Sequence, residues 1–148
     1  MIRYLVPPVW CALAGLLMIG LNRFIPGPVL LPTPWNWVGV LPALAGFGSA
    51  LWAARLFRQT GTPLEPWQQP TAFVNRGPYR FTRNPMYLGL ALSLLGLALW
   101  LGTATPWLGL AVFVWIITRT FIRREERWLE ERFGDAYRRY KARVRRWI

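Results

Sequence analysis

Apolar residues in this chain are gathered into four long runs, at residues 5–21, 37–57, 86–101 and 107–122. Each run is roughly 16 to 20 residues long, close to the length of an α-helix that crosses the hydrocarbon core of a bilayer. A helix of this kind can be apolar on every face, since lipid as well as protein surrounds it. The pattern therefore predicts an all-α integral membrane protein with four transmembrane helices.

Charged residues are distributed unequally among the segments that join these runs. The segment 22–36 contains one charged residue, Arg23, and the turn 102–106 contains none. Arginines instead populate the loop 58–85 and the tail 123–148. Because cytoplasmic segments of membrane proteins are enriched in Lys and Arg, both termini, the loop and the tail are predicted to be cytoplasmic. The length of 148 residues fits a single membrane-embedded domain, residues 1–148.

The overall composition narrows the possible chemistry. The formal net charge is +12 although 54% of the residues are hydrophobic, which favours contact with anionic membrane lipids. Acidic residues interrupt the basic tail, so membrane binding explains its charge more simply than nucleic-acid binding does. The chain has no histidine and one cysteine, Cys11, which argues against a metal site or a disulfide. The basic residues near the end of the tail that are available to phosphates are Arg138, Arg139, Lys141, Arg145 and Arg146.

Small residues interrupt the second apolar run at Gly46, Gly48, Ser49 and Ala50. Glycine-rich loops bind nucleotides where a strand precedes them, and no strand is predicted here. Small residues within a transmembrane helix instead allow two helix backbones to approach closely. We therefore expect this segment to be a helix-packing surface.

Polar residues converge on the start of the third run. Asn84 is a preferred N-cap residue and Pro85 a preferred first residue, so a helix is predicted to begin here, with Asn84 capping its free N–H groups. An exposed helix N-terminus beside Arg80 and Arg83 would attract a carboxylate or phosphate, because its amides and positive dipole end face the same way. Arg83 and Tyr87 are four residues apart and are expected to share a helix face.

The tail is predicted to form a helix that leaves the fourth run and breaks at Gly134. Its apolar stripe, Ile122, Leu129 and Phe133, shares a face with Glu126. A carboxylate on such a face needs a partner, because burying an unpaired charge is costly. Two interpretations stay open: Glu126 pairs with one of the many nearby arginines, or it is a binding-site carboxylate that reaches into a polar cavity.

Several motifs occur in a specific order along the second half of the chain. The sequence reads Gly-Pro-Tyr-Arg at 77–80, Arg-Asn-Pro-Met-Tyr-Leu-Gly at 83–89, Glu-Glu at 125–126 and Phe-Gly-x-x-Tyr-x-x-Tyr at 133–140. Together they resemble the membrane methyltransferases related to isoprenylcysteine carboxyl methyltransferase and the phospholipid methyltransferases, over roughly residues 61–147. This resemblance implies S-adenosylmethionine as the methyl donor and S-adenosylhomocysteine as the product, bound at the cytoplasmic face under the tail.

The resemblance also implies which residues form the site. Its candidate catalytic residues are Glu125 and Glu126. Many relatives have histidine at the position of Asn84, so a role that needs a titrating imidazole is absent here. Structural roles stay open beside these: Asn84 as a cap, Tyr87 as an interfacial anchor and Glu126 as an ion-pair partner. The implied cofactor-binding residues are Phe73, Val74, Tyr79, Arg83, Asn84, Pro85, Met86, Tyr87, Leu88, Glu125 and Glu126.

The acceptor of the methyl group is less constrained. A carboxylate acceptor is already ionised, whereas a phospholipid amine must first lose a proton, for which Glu125, Glu126 or water are the nearby bases. Together with the excess of arginine, this slightly favours an acidic or already nucleophilic lipophilic acceptor. The alternative class is a non-enzymatic membrane protein whose basic tail binds anionic lipid or a partner protein. No oligomeric state is predicted.

Overall fold

The computed structural model describes residues 6–59 and 75–148, and these residues are mostly helical. Helix α1 spans Pro7–Phe24, α2 spans Val40–Gln59, α3 spans Pro85–Leu101, α4 spans Pro106–Ile117 and α5 spans Arg123–Arg143. Two 3₁₀ helices, Trp35–Gly39 and Gly77–Arg80, precede α2 and α3, and a π-helical segment, Thr118–Ile122, joins α4 to α5. The described residues contain no β-strand, which confirms the all-α prediction.

Among residues 6–59 and 75–148, three helical stretches are long and apolar enough to cross a membrane. They lie within Pro7–Phe24, Trp35–Leu56 and Pro106–Arg143. Helix α3 is also apolar but is shorter, with 17 residues. Because each of the four predicted apolar runs overlaps one of these helices, hydrophobicity located the helices correctly.

Helices α2 and α3 pack closely through small residues, as the composition of α2 predicts. A Cβ atom added to Gly46 would lie 2.5 Å from the carbonyl oxygen of Gly89, and one added to Gly89 would lie 2.7 Å from the backbone nitrogen of Ala50. Such distances are too short for a real side chain, so glycine is required for the two backbones to meet. The prediction is wrong for Gly48, whose outward position has no described neighbour within 4 Å.

The main core lies where α1, α3 and α4 meet. It contains Met18, Leu94 and Phe113, and it continues into the π-helical segment through Phe121. All four side chains are buried. Other large apolar side chains, such as Leu16 on α1, stay exposed, as the surface of a membrane-spanning helix requires.

The connecting segments gather at two ends of the helix bundle. At one end, residues 22–36 contact the turn 102–106 through an isolated bridge between Val29 and Thr103. At the other end, residues 75–84 contact the tail. The described end of the arginine-rich loop therefore lies against the arginine-rich tail, as the predicted topology requires.

The tail bends twice, and the second bend positions the site. Helix α5 is interrupted at Gly134, where φ is 49° and ψ is −122°, so the predicted break is confirmed. The helix ends at Arg143, and Val144 is extended, with φ of −117° and ψ of 129°. This conformation returns residues 144–147 to the start of α3.

Candidate functional site

Helix α3 begins at the predicted residue, but its polar side chains have a different role from the predicted one. Asn84 is the N-cap residue and Pro85 follows it as the first helical residue. The Asn84 side chain does not cap the helix; its Nδ2 donates to the carbonyl oxygen of Arg146 at 2.9 Å. Thr82 Oγ1 donates to the same oxygen at 3.1 Å and accepts from the Asn84 N–H at 3.2 Å. The capping prediction is wrong because the returning tail offers Asn84 a carbonyl acceptor.

The N-terminus of α3 is covered, which corrects the prediction that it is exposed. Asn84 is only 7% exposed. The backbone N–H of Arg83 also donates to the carbonyl oxygen of Arg145, at 2.9 Å. Residues 144–147 therefore form a cover over this helix end. No local pattern at the start of α3 indicates this cover, because the extended residue Val144 brings it there only in the folded chain.

Glu126 lies beside this helix end and is held by two arginines. Arg146 binds it through both carboxylate oxygens, with Nε at 3.0 Å from Oε1 and Nη2 at 2.7 Å from Oε2. Arg83 Nη1 lies 3.3 Å from Oε1. Glu126 is 6% exposed, and these contacts offset the cost of burying its charge. The ion-pair interpretation thus describes Glu126, although the residue also lines an open polar cleft of about 360 Å³.

Glu125 has a different environment from its neighbour in sequence. Its Oε1 accepts a hydrogen bond of 2.5 Å from the hydroxyl group of Tyr87, a residue of α3 that is 3% exposed. It forms no ion pair within residues 6–59 and 75–148. Loss of solvent raises the pKa of the Glu125 carboxyl to about 7, against the lowering effects of the Tyr87 hydrogen bond and the Arg124 charge. A carboxyl with this pKa exchanges a proton near neutral pH.

Arg83 and Tyr87 do not share a helix face, because α3 begins at Pro85 and Arg83 precedes it. They nevertheless reach the same pair of glutamates: Arg83 contacts Glu126, and Tyr87 contacts Glu125. The Nε atom of Arg83 is buried and has no hydrogen-bond partner in the described part of the chain. Arg83 and Tyr87 are therefore brought close to each other by the two glutamates and not by a shared helix face.

Tyrosines from the loop and the tail pack together close to Glu125. The carbonyl oxygen of Tyr79, a residue 7% exposed, accepts a hydrogen bond of 2.6 Å from the Tyr140 hydroxyl. Burial, and then the nearby charge of Glu125, raises the pKa of Tyr79. Burial also raises the pKa of Tyr137, which is 1% exposed, to about 12. These hydroxyl groups therefore keep their protons at neutral pH and can donate hydrogen bonds.

For the other predicted site residues that lie in the described ranges, the structure gives burial and packing but no polar contact that assigns a role. Pro85 is buried, and Met86 and Leu88 are half-buried. Met86 packs against both buried clusters, the main core and the pair Ala53 and Tyr79. Phe73 and Val74 lie outside the described residues. In the part of the chain that the structure describes, no three His, Cys, Asp or Glu residues are grouped to hold a metal ion.

Thr82 and the individual role of Arg146 were not identified from the sequence. Arg146 was grouped with the other tail arginines that are available to phosphates, but it binds Glu126 and offers its carbonyl oxygen to Asn84. No helical periodicity distinguishes Arg146, because it follows the end of α5. The sequence indicated that Glu126, a carboxylate on an apolar face, requires a partner, but it did not indicate which arginine would pair with it.

Comparisons with known proteins agree with the motifs. A family model described as phospholipid methyltransferase matches residues 35–136, a range that includes Tyr87 and both glutamates. A protein of Haemophilus influenzae named "Uncharacterized protein" is 54% identical over 63 residues, which are 43% of this chain and 100% of that relative. No solved structure matches the chain significantly. Since the family model covers more than half of the chain, the chain belongs to the phospholipid methyltransferase family, and the predicted resemblance to it is confirmed.

Proposed function

We propose that this member of the phospholipid methyltransferase family is a multi-pass membrane enzyme that transfers a methyl group from S-adenosylmethionine to a lipophilic or membrane-associated acceptor. The observation that carries the proposal is the hydrogen bond between Tyr87 of α3 and Glu125 of α5. The hydrogen bond holds the Glu125 carboxyl, whose pKa is about 7, beside the first turn of the apolar helix α3. A perturbed carboxyl in such a position is a candidate for acid–base chemistry on a membrane-bound substrate.

The proposed topology has four crossings in a single domain, residues 1–148, with both termini in the cytoplasm. Helix α3 is included because its 17 residues span about 25 Å, and a short helix can be accommodated by local thinning of the bilayer. Its packing against α1, α2 and α4 supports this placement. The arginine-rich connections lie at the end that carries Glu125, which supports an active site on the cytoplasmic side.

The surroundings of Glu125 fit a cationic ligand. Burial disfavours the ionised form of its carboxyl, and within the described residues no basic side chain forms an ion pair with it. A cation beside this carboxyl restores the ionised form, and S-adenosylmethionine carries two cationic groups, a sulfonium and an ammonium. Tyr79 and Tyr87 supply aromatic rings for contact with the same cation.

The remaining roles are proposed from the resemblance and from position. Arg83, through its unpaired Nε, and the start of α3 are suited to the carboxylate of the cofactor. Residues 144–147 cover this helix end, so we propose that they exclude water during the reaction and move aside for ligand exchange. The proposed walls of the cofactor site come from Phe73, Val74, Asn84, Pro85, Met86 and Leu88.

Glu125 is the proposed general base. S-adenosylmethionine, when bound, supplies the reactive methyl group. Glu126 is less suited to proton transfer because two arginines already occupy its oxygens, and we assign it a positioning role. An acceptor amine must lose a proton before methylation, whereas a carboxylate need not, so a free base favours an amine. The family description names a phospholipid acceptor, whereas the sequence slightly favoured an acidic or already nucleophilic lipophilic acceptor.

Calorimetric titration of S-adenosylhomocysteine into detergent-purified protein tests the cofactor site. We expect saturable binding, weakened roughly tenfold or more by Glu125→Gln and less by Tyr87→Phe, because a hydrogen bond to a charged group is worth about 1.5–3 kcal/mol. Glu131→Gln is the matched control, since Glu131 is exposed on the same helix. Absence of binding by folded wild-type protein, in detergent and in lipid nanodiscs, would support the non-enzymatic alternative instead.

A further inference from the structure

A row of exposed residues along the helix that runs from α4 into α5 changes from apolar to basic along its length. Ala111, Trp115, Arg119, Arg123 and Arg127 follow one another at four-residue intervals, and all five are exposed. Residues four apart are neighbours on a helix surface, and a row of them winds gradually around the helix axis. We call this set the amphiphilic stripe. The π-helical segment Thr118–Ile122 lies at its centre, and π-helical turns occur frequently at functional sites.

Two cavities follow the stripe and share its central arginines. An apolar groove of about 530 Å³ is lined by Ala111, Trp115, Arg119 and Arg123, among others. A polar cleft of about 360 Å³ is lined by Arg119, Arg123 and Arg127, together with two glutamates and further basic residues. The groove and the cleft therefore meet at Arg119 and Arg123.

The cleft retains an excess of positive charge after its ion pairs are counted. Glu126 is bound by Arg83 and Arg146, and Glu130 Oε2 lies 3.0 Å from Lys141 Nζ. Both acidic residues of the cleft are thus already paired. By contrast, Arg119, Arg123 and Arg127 form no ion pair with any described residue. Three unneutralised guanidinium groups in one cleft attract an anion, and guanidinium is well suited to a phosphate.

We propose that the amphiphilic stripe binds an anionic phospholipid of the surrounding membrane. Its phosphate contacts Arg119 and Arg123, the polar headgroup beyond the phosphate extends toward Arg127, and an acyl chain lies in the groove beside Ala111 and Trp115. A lipid is favoured over a soluble anion because the basic cleft opens directly into an apolar groove, on a helix apolar enough to lie in a bilayer. The site contains neither Glu125 nor Tyr87, although Glu126 and Arg146 line the same cleft, and the proposal does not depend on methyl transfer.

Tryptophan fluorescence measures this binding through Trp115 itself. The full chain in an uncharged detergent is titrated with phosphatidylglycerol or phosphatidylcholine that carries brominated acyl chains, which quench nearby tryptophans. The quenching that disappears in Trp115→Phe belongs to the stripe. We expect phosphatidylglycerol to saturate this signal at roughly tenfold lower concentration than phosphatidylcholine, since arginines near a membrane surface contribute about 1 kcal/mol each to binding of anionic lipid.

Paired substitutions separate this site from general attraction to a basic protein. Arg119→Gln combined with Arg123→Gln should weaken phosphatidylglycerol binding by roughly tenfold or more. Arg132→Gln combined with Arg139→Gln removes the same charge from exposed positions outside both cavities and should leave binding nearly unchanged. The proposal would be overturned if the two double variants lost phosphatidylglycerol affinity equally. It would also be overturned if the wild-type protein bound phosphatidylglycerol and phosphatidylcholine equally well.

Two further arms test whether the ligand is a lipid. Ala111→Phe fills the apolar groove without changing charge, and it should weaken phosphatidylglycerol binding. Glycerophosphoglycerol, the same headgroup without acyl chains, should fail to displace the brominated lipid. If glycerophosphoglycerol displaced the brominated lipid at concentrations similar to those at which phosphatidylglycerol binds, and Ala111→Phe had no effect, the site would be one for soluble anions and not for a lipid. Size-exclusion chromatography of each variant confirms that the comparison is between folded proteins.

Discussion

The two ends of the helix bundle are held together by different kinds of interaction. At the low-charge end, residues 22–36 and 102–106, the backbone N–H groups of Leu30 and Leu31 donate to the carbonyl oxygen of Gly102 at 2.8 and 3.0 Å. At the charged end, residues 75–84 and 123–147, a buried glutamate binds two arginines and a second glutamate accepts a hydrogen bond from Tyr87. One end is joined mainly by the main chain and the other mainly by side chains.

This difference suggests a division of roles between the ends. Backbone hydrogen bonds do not titrate and depend little on side-chain identity, so the low-charge end is suited to holding the helices together. The charged end contains groups whose protonation and pairing can change, and the resulting interactions are sensitive to pH and to single substitutions. Functional sites concentrate such groups. The following predictions distinguish the two ends, from the largest expected effect to the smallest.

Glu125→Gln at the charged end should have the largest effect on activity. If Glu125 is the general base, its loss lowers the rate of methyl transfer by about 10²- to 10⁴-fold, the range typical of general acid–base groups. The measurement is incorporation of labelled methyl from S-adenosylmethionine into a membrane lipid extract. Glu131→Gln, an exposed change on the same helix, should retain wild-type activity. Activity of Glu125→Gln within a few-fold of wild type would exclude Glu125 as the base.

Glu126→Gln should affect stability most strongly. It leaves Arg83, whose side chain is 9% exposed, as a buried charge without its carboxylate, and breaking a buried pair in this way costs about 3–5 kcal/mol. Thermal denaturation in detergent measures the loss. Glu130→Gln is the control, because the Glu130 pair with Lys141 is well exposed and such pairs contribute about 1 kcal/mol or less. Equal destabilisation by the two variants would contradict a buried network around Glu126.

Gly102→Ala tests whether the low-charge end contributes to stability and not to activity. Gly102 has φ of 74°, a conformation that costs a residue with a side chain about 1–2 kcal/mol, and an added Cβ would contact the carbonyl oxygen of Leu31. We expect a loss of thermal stability with methyl transfer at permissive temperature preserved. Gly48→Ala, in the middle of α2 with open space around it, should not destabilise. A large loss of activity by Gly102→Ala at a temperature where it is folded would contradict the division of roles.

Tyr87→Phe should produce the smallest but most specific effect, a shift in pH dependence. The general base works ionised, so kcat/KM for S-adenosylmethionine, which reports the enzyme before the cation binds, should rise with pH through the Glu125 pKa of about 7 and then level off. The Tyr87 hydrogen bond lowers that pKa. Its removal should therefore move the midpoint of the pH–rate profile upward, by up to about one pH unit for a hydrogen bond of about 1.4 kcal/mol. An unchanged midpoint of the pH–rate profile would show that Tyr87 does not affect the pKa of the titrating group.

The ionisation of Glu125 should lower the stability of the protein as pH rises, whereas it should raise the activity. Because the folded pKa of Glu125 is raised above its usual value of 4.5, the ionised form is disfavoured by folding. In the absence of ligand, stability should be greater below pH 4.5 and should decline as pH rises toward 7. Glu125→Gln should lack this decline, which denaturation curves of the two proteins between pH 4.5 and 8 would reveal. A parallel decline in both proteins would assign it to other groups.

Local sequence signals predicted the elements well. The apolar runs located the helices because a membrane-spanning helix must be long and continuously apolar. The pair Asn84 and Pro85 marked the start of α3, and Gly134 marked the break in α5. Each of these signals acts through the residue's own backbone conformation or through its nearest neighbours, so it can be read without knowing the fold.

Side-chain partners in the site were predicted less well. The sequence indicated that Glu126 needed a partner, but several arginines of the tail were equivalent candidates. The structure pairs it with Arg83 and Arg146, which are separated from it by 43 and 20 residues in sequence. The Asn84 side chain likewise binds a carbonyl 62 residues away. Such choices depend on which distant segments meet, and no local pattern encodes that.

By itself, the sequence determined the helical composition and the membership of the phospholipid methyltransferase family, because length, hydrophobicity and motif order are properties of local sequence. Only the tertiary structure decided that residues 144–147 cover the start of α3, and that two adjacent glutamates have different environments. Glu126 points to two guanidinium groups, whereas Glu125 meets one tyrosine hydroxyl. The physical reason is that burial and pairing depend on the distances between groups that only folding brings together.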